Sequence, residues 1–240
     1  THRAGHCVPD NRDHRYWFDD DIASMTVKDR RNLHAKWDQQ YPLARMSEKS
    51  DRIRLLKDTD QDGIADQNFI YADGFNDPLD GTSGGTLQLY DHTYFACIPN
   101  IWLLRDTNND GKADERQKIL SGFGPRISLA GHDLDGFALG PDGRLYGSVG
   151  DRGMNSLTRE GYKISYNDQG VVFRFDPDGS HFEVIHAGLR DPQGVVFDSL
   201  GNAVTVDSDS GQGDQARIVF IVEGADSGWR SGHQNLHTFY

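Results

Sequence analysis

An all-β fold, assembled from short antiparallel strands in groups of four, is what this 240-residue sequence predicts. Three observations predict it. Short apolar runs succeed one another at hairpin distance along most of the chain. Three β-rich stretches close alike, at Gly74-Phe75, Gly122-Phe123 and Gly188-Leu189, with the glycines 48 and 66 residues apart. Helical periodicity is confined to one segment near the start. Units of about 40–50 residues with several short strands are the mark of β-propeller blades. The chain holds about three to four of them.

The elements follow in order. Residues 19–39 predict one helix, with Asp19, Asp20 and Asp21 supplying N-cap and first-turn charge and Ile22, Met25, Leu33 and Trp37 a buried side. It reads as an insertion packed against the outside of a blade. Runs 52–56 and 69–72 are the last two strands of a first unit. Runs 86–90, 94–98, 101–105 and 117–120 make the next. Runs 137–139, 145–149, 171–175 and 182–186 make a third, and the polar stretch 154–169 reads as a loop inserted in it. Runs 194–197, 203–206 and 218–222 begin another. Residues 1–240 thus form one partial propeller domain. Thr1 at one end and the aromatic Phe239-Tyr240 at the other make the chain read as an internal piece of a longer protein.

Composition excludes some functions. A net charge of −12 argues against nucleic acid as a partner. No run approaches the roughly eighteen apolar residues that span a bilayer. Cys7 and Cys97 form no CxxC and read as single buried thiols rather than a pair.

Two acidic loops share one pattern. Asp58, Asp60, Asp62 and Asp66 match Asp106, Asn108, Asp110 and Asp114, with Gly63 and Gly111 at the sixth position. Oxygen ligands at positions 1, 3, 5 and 9 suit Ca²⁺. Phe69 and Gln117 stand where an EF-hand has its glutamate, and strands flank both loops. The same residues equally make solvated turns whose side chains bond their own backbone. In either case the role is structural, and convergence of positions 1, 3 and 5 is the geometry expected for an ion.

The chemistry-bearing stretch runs from Gly131 to Gly153. Two strand-like runs are joined by Gly140-Pro141-Asp142-Gly143, a hairpin turn. His132 precedes the first run and Asp151 follows the second. Antiparallel strands bring their outer ends together, so imidazole and carboxylate should meet. That pairing polarises a histidine for proton transfer. Arg190 lies in the loop leading into the next unit, at the same end, where a guanidinium can stabilise an anion. A histidine or arginine in these places also serves as an ordinary structural hydrogen bonder.

The motif H-x3-G-x3-G-P-D-G-x-L-Y-x-S-V-G-D, then L-R-D-P-Q-G, then V-E-G-A-D-S-G-W, resembles the soluble glucose/sorbosone dehydrogenases that use pyrroloquinoline quinone (PQQ). His132 keeps that family's spacing to Asp151, and Arg190 matches the arginine of its H-R-N-P-Q-G. The resemblance extends along nearly the whole chain to a group of large planctomycete and verrucomicrobial proteins described as membrane-bound dehydrogenases. It takes in residues 16–21, 52–56 and 97–104 and both acidic loops. It implies a six-bladed propeller, a sugar or alcohol substrate, and PQQ with Ca²⁺ as cofactors. His132 would be the general base, Asp151 its orienting partner, and Arg190 and Gln193 cofactor contacts. The cofactor's Ca²⁺ would lie in the segment holding Asp207, Asp209 and Asp214. The family further implies a periplasmic or exported location and an electron exit through haem c in a following region. Its basic PQQ-gripping cluster would also come from blades after residue 240. Asp135 departs from the family's histidine and would raise the pKa of His132. A non-catalytic carbohydrate- or protein-binding propeller and a Ca²⁺-dependent lactonase fit the same architecture.

Overall fold

A computed structural model describes residues 7–129, 131–210 and 213–231 of the chain. The chain opens with a 3-10 turn at Arg15–Trp17, then α1 (Phe18–Ala23), α2 (Val27–Lys36) and α3 (Leu43–Met46). The single helix expected over 19–39 is two. Ser24 turns extended, and Thr26 starts a new helix by accepting the Asp29 amide. A hydroxyl three residues ahead of a carboxylate is a helix start in its own right, and here it overrides continuity.

Strands β1 (Asp51–Lys57) and β2 (Gln67–Phe75) pair as an antiparallel hairpin. Next come β3 (Ser83–Leu89), β4 (His92–Cys97), β5 (Asn100–Arg105) and β6 (Glu115–Ser121), hydrogen-bonded in chain order. Then follow β7 (Leu134–Leu139), β8 (Leu145–Val149), β9 (Met154–Leu157), β10 (Lys163–Tyr166), β11 (Gly170–Phe175) and β12 (Glu183–Leu189). The last four are β13 (Val196–Phe197), β14 (Ala203–Asp207), β15 (Arg217–Phe220) and β16 (Ala225–Asp226). The third sheet runs β7-β8-β11-β12, with β16 added parallel to β12, and β13-β14-β15 make the next. Residues 154–169, expected as a loop, hold the β9–β10 hairpin, whose Met154 bridges to Phe123 of the preceding unit. Cys7 and Cys97 are buried free thiols.

The sheets stack face to face in sequence order. Ala72, Phe75, Phe95 and Leu104 fill the first gap. Ile101, Phe123, Leu134, Phe173 and Phe175 fill the second. Tyr146, Val172, Leu189 and Val195 fill the third. β4, β8 and β11 are therefore covered on both faces and read as near-continuous apolar runs. β3, with one side open, alternates. Between the first strands of neighbouring sheets the backbones nearly touch. A Cβ on Gly84 would strike the Leu134 carbonyl, and one on Gly85 would lie 2.6 Å from the Gly136 Cα.

The helical segment sits on the loop-bearing end of the sheets rather than on the outside of a blade. Trp17, Leu33, Tyr41 and Met46 close over Ile127, in the connection between β6 and β7. Asp21 accepts the backbone amides of Ile127, at 2.5 Å, and Ser128, at 3.1 Å. The buried face of α2 carries Arg30, Leu33 and His34, whereas Met25 is 49% exposed.

Candidate active site

The β7–β8 hairpin brings His132 and Asp151 together as its turn requires. Nδ1 of His132 lies 2.8 Å from Oδ1 of Asp151, and the two residues are 6% and 4% exposed. Ser128 Oγ donates to the same oxygen at 2.8 Å, and the Trp229 indole N–H donates to Oδ2 at 3.1 Å. Both oxygens of Asp151 are thus engaged. On the other side of the ring, Nε2 faces Asp191 Oδ2 at 3.7 Å. Burial opposes charge on His132, but Asp151 and then Asp191 outweigh it, so its pKa is raised. Burial likewise opposes charge on Asp151, yet His132 and Ser128 hold its carboxyl below the usual range.

Arg190 is at the same end. Its carbonyl accepts the Asp151 amide at 2.7 Å, and its guanidinium lies over the Trp229 ring with 5.8 Å to the centroid. Gln193 reaches Asp191 Oδ2 with its side-chain amide at 2.8 Å. All four residues expected to carry the chemistry, His132, Asp151, Arg190 and Gln193, therefore gather at one end of the sheets. Beside them opens a cleft of about 150 Å³ whose lining includes Arg190, Asp207, Ser208, Asp214, Arg217 and Trp229.

Three participants escaped the sequence. Ser128 gave no signal. Trp229 lay in the G-W motif without a role. Asp191, next to Arg190 in the same motif, is the carboxylate that raises His132; Asp135 is not among the groups that do so. Asp135 is instead pushed up itself to about 8, by burial and then by Asp191 and Asp133. Asp191 is pushed up to about 6, mainly by burial, with His132 pulling the other way. Below the dyad, Asp133 is buried in an ion pair with Arg152 and a hydrogen bond from Thr82.

The acidic loops lie at the opposite end, between β1 and β2 and between β5 and β6. In the first, ligand oxygens of Asp58, Asp60 and Asp66 come within 4.8 Å of one another, which is positions 1, 3 and 9 rather than 1, 3 and 5. Asp62 is turned to the Ile64 amide instead. The second loop is curled alike: Asp106 accepts the Gly111 amide, Asn108 the Asp110 amide, Asp110 the Lys112 amide, and Asp114 bonds Thr107. In the β14–β15 connection Asp207 is committed elsewhere. It is buried, its Oδ1 accepts the amides of Arg190 and Asp191, and its Oδ2 accepts from Arg217. Asp214 bonds Ser210, Asp209 stays exposed, and residues 211–212 between them lie outside the described part. Among the described residues, Asp207, Asp209 and Asp214 form no ligand group.

The arrangement of sheets has solved counterparts. A glucose dehydrogenase superposes with a TM-score of 0.56 at 17% identity, over 74% of this chain and 57% of its own. A second glucose dehydrogenase structure gives 0.55 at 17%, over 74% and 57%. An oxidoreductase from Thermus thermophilus, described as a glucose dehydrogenase, gives 0.51 at 21%, over 75% and 58%. The chain spans under three fifths of the length of each, and at these identities the likeness is one of fold, an all-β propeller type. No curated protein matches the sequence. Residues 23–226 match DUF7133, a domain of unknown function, so the chain belongs to the DUF7133 family.

Proposed function

We propose that this chain forms the proton-handling part of a quinoprotein oxidoreductase that oxidises a sugar or an alcohol. The sheets would be three to four blades of a six-bladed propeller, of the kind found in the large membrane-bound dehydrogenase group. The observation that carries the reading is the buried His132–Asp151 pair, 2.8 Å apart, sharing its end of the blade with Arg190.

His132 and Asp151 manage the hydroxyl proton. Asp151 fixes the ring by accepting from Nδ1 and is itself fixed by Ser128 and Trp229. The helical segment above is tied to Ser128 through Asp21, which accepts the Ser128 amide. The cleft beside the pair offers the guanidinium groups of Arg190 and Arg217 and the hydroxyls of Ser208 and Ser227, but also the carboxylates of Asp207 and Asp214, so a carboxylate-bearing flat acid such as PQQ would be met only on the arginine side. Arg217 gives part of its capacity to Asp207, so the cleft suits one carboxylate edge of the cofactor. The remaining grip belongs to blades that these sheets do not form. Bound PQQ would supply the hydride acceptor. Ca²⁺ fits the oxygens of Asp58, Asp60 and Asp66 as a structural ion remote from the chemistry, whereas the carboxylates of Asp106, Asp110 and Asp114 do not converge in the same way. An exported protein passing electrons to haem c completes the reading.

The test is reconstitution of the full-length protein with PQQ and Ca²⁺, followed by aldoses and simple alcohols, reading dye reduction. Substrate-dependent reduction supports the reading. Lactone hydrolysis without PQQ, or sugar binding without turnover, contradicts it.

A further inference from the structure

Trp229 stands where the cleft meets the proton-handling pair. It is 8% exposed and lines the cleft together with Arg190. Its indole N–H donates to Asp151 Oδ2 at 3.1 Å, across 78 residues of sequence. The guanidinium of Arg190 lies over its ring, 5.8 Å from the centroid. The backbone seats this side chain at several points. β16 adds parallel to β12. Beyond it the Ser227 amide donates to the Ala187 carbonyl and the Trp229 amide to the Gly188 carbonyl, each at 2.9 Å. Gly188 has φ +72°, and a Cβ on it would strike Asp226 and the Gly228 amide, so the segment lies this close to β12 because that residue is glycine. Further along, Arg230 pairs with Asp226, and the Ser231 amide donates to the Asp168 carbonyl at 2.7 Å.

Asp151 has two oxygens and three side-chain partners. His132 and Ser128 share Oδ1, and the indole takes Oδ2. Each added donor spreads the carboxylate's charge and weakens its hold on the imidazole proton. We propose that Trp229 is a positioning residue for the proton-handling pair: its N–H holds Asp151 and limits that carboxylate's pull on His132, while its ring, beneath Arg190, ties the pair to the wall of the cleft. The proposal rests on the sugar- or alcohol-oxidising reading and deepens it. An indole N–H only donates, so Trp229 acts through Asp151 and takes no proton itself.

The charged groups facing the pair act on it directly. Asp191 lies 3.7 Å from Nε2 of His132 and favours its charged form, and Arg190 opposes it. Both sit on the loop between β12 and β13. From the helical segment, Asp21 accepts from Asn11 and from the Ile127 and Ser128 amides. Replacing the indole by a phenyl ring removes the bond to Oδ2 and keeps an aromatic face under Arg190. Asp151 then becomes the stronger base and grips the imidazole proton harder, so less free imidazole is available on the acid side. Removing Asp151 itself acts with the opposite sign.

Trp229→Phe tests the proposal in two ways. In the full-length protein loaded with PQQ and Ca²⁺, the acid limb of the kcat profile should move to higher pH. The rate on that limb should fall by up to about tenfold, the scale of one hydrogen bond to a charged group, and recover as pH rises. A profile lowered alike at every pH overturns the proposal and leaves Trp229 as packing. The second readout needs no turnover. In the cofactor-free, full-length protein, nuclear magnetic resonance should show the His132 imidazole titrating at higher pH in Trp229→Phe than in the wild type. An unmoved or lowered midpoint overturns the proposal. The wild type alone gives a further check should that variant not fold. The indole N–H resonance of Trp229, assigned through its contact with the Arg190 side chain, should shift with pH at the midpoint of His132, because Asp151 is bonded to both. An indole signal that stays still while the imidazole titrates overturns it too. If the wild type is inert towards sugars and alcohols, the oxidoreductase reading fails, while the two titrations still decide whether Trp229 acts on His132.

Discussion

Asp58 and Asp66 stand in water at one end of the sheets, while Asp135 and Asp191 are folded away from it at the other. Asp58 is held below the usual carboxylate range by the Gly63 amide, and Asp66 by the Thr59 hydroxyl. Asp135 and Asp191 are driven the other way, to about 8 and about 6, chiefly by burial. The residue type is the same; solvation and the number of donors decide what it becomes. In the loops, carboxylates act as pins that fold the backbone onto itself. At the dyad end, too few donors reach them, and a proton becomes the partner that costs least.

This contrast can be broken at either end. The largest effect is on turnover. His132→Ala in the loaded full-length protein should lower kcat by about 10²–10⁴-fold, because the imidazole that handles the hydroxyl proton is removed. Asp60→Ala at the far end should leave kcat alone. Equal losses in the two variants would show that the dyad end has no special part in the chemistry.

Stability comes next. Asp133→Ala strips the partner from Arg152, which is 1% exposed. Removing one half of a buried pair costs about 3–5 kcal/mol, whereas an exposed change such as Asp110→Ala costs under about 1 kcal/mol. Urea melts of both variants measure the difference, and similar midpoints would contradict the burial described for Asp133.

The pH dependence of stability sharpens the comparison further. A carboxyl whose folded pKa lies above its unfolded one keeps its proton better when folded. Its contribution is full below the unfolded pKa of about 4 and is lost as pH rises through the folded pKa. For Asp135 that window runs from about 4 to about 8. The loss is at most about 1.4 kcal/mol per pH unit. Asp135→Asn should flatten the wild-type decline across that window. An unchanged decline would mean that Asp135 is solvated.

The smallest effect belongs to the loops. Ca²⁺ at about tenfold its Kd should stabilise the wild type by about 1.4 kcal/mol per site. The Asp60→Ala, Asp110→Ala double variant should not respond. If neither protein responds, the loops are acidic turns only.

Much of this was legible in the sequence, for reasons that are local. The Pro141-Asp142-Gly143 turn fixes the β7–β8 hairpin, and the hairpin fixes the meeting of His132 and Asp151. Short apolar runs at hairpin distance marked β3, β8 and β11. The β9–β10 hairpin was missed because its strands are polar and lean on the neighbouring sheet through Met154. The break at Ser24–Thr26 was in the sequence as Thr26 ahead of Asp29, but the acidic start at Asp19–Asp21 masked it. The seat of the helices depends on Asp21 reaching amides more than a hundred residues away, which no local pattern encodes. Asp191 was passed over for a similar reason: its approach to Nε2 of His132, which helps to raise that imidazole's pKa, is a property of the fold.

The central claim is that the buried Asp151 carboxylate holds and polarises His132, and the titration of that imidazole tests it most directly. Nuclear magnetic resonance of the imidazole in the cofactor-free, full-length protein should show a pKa above the ordinary 6.5. The value should fall in Asp151→Asn. A His132 that titrates at or below 6.5 in the wild type, or that ignores the loss of Asp151, would contradict the account.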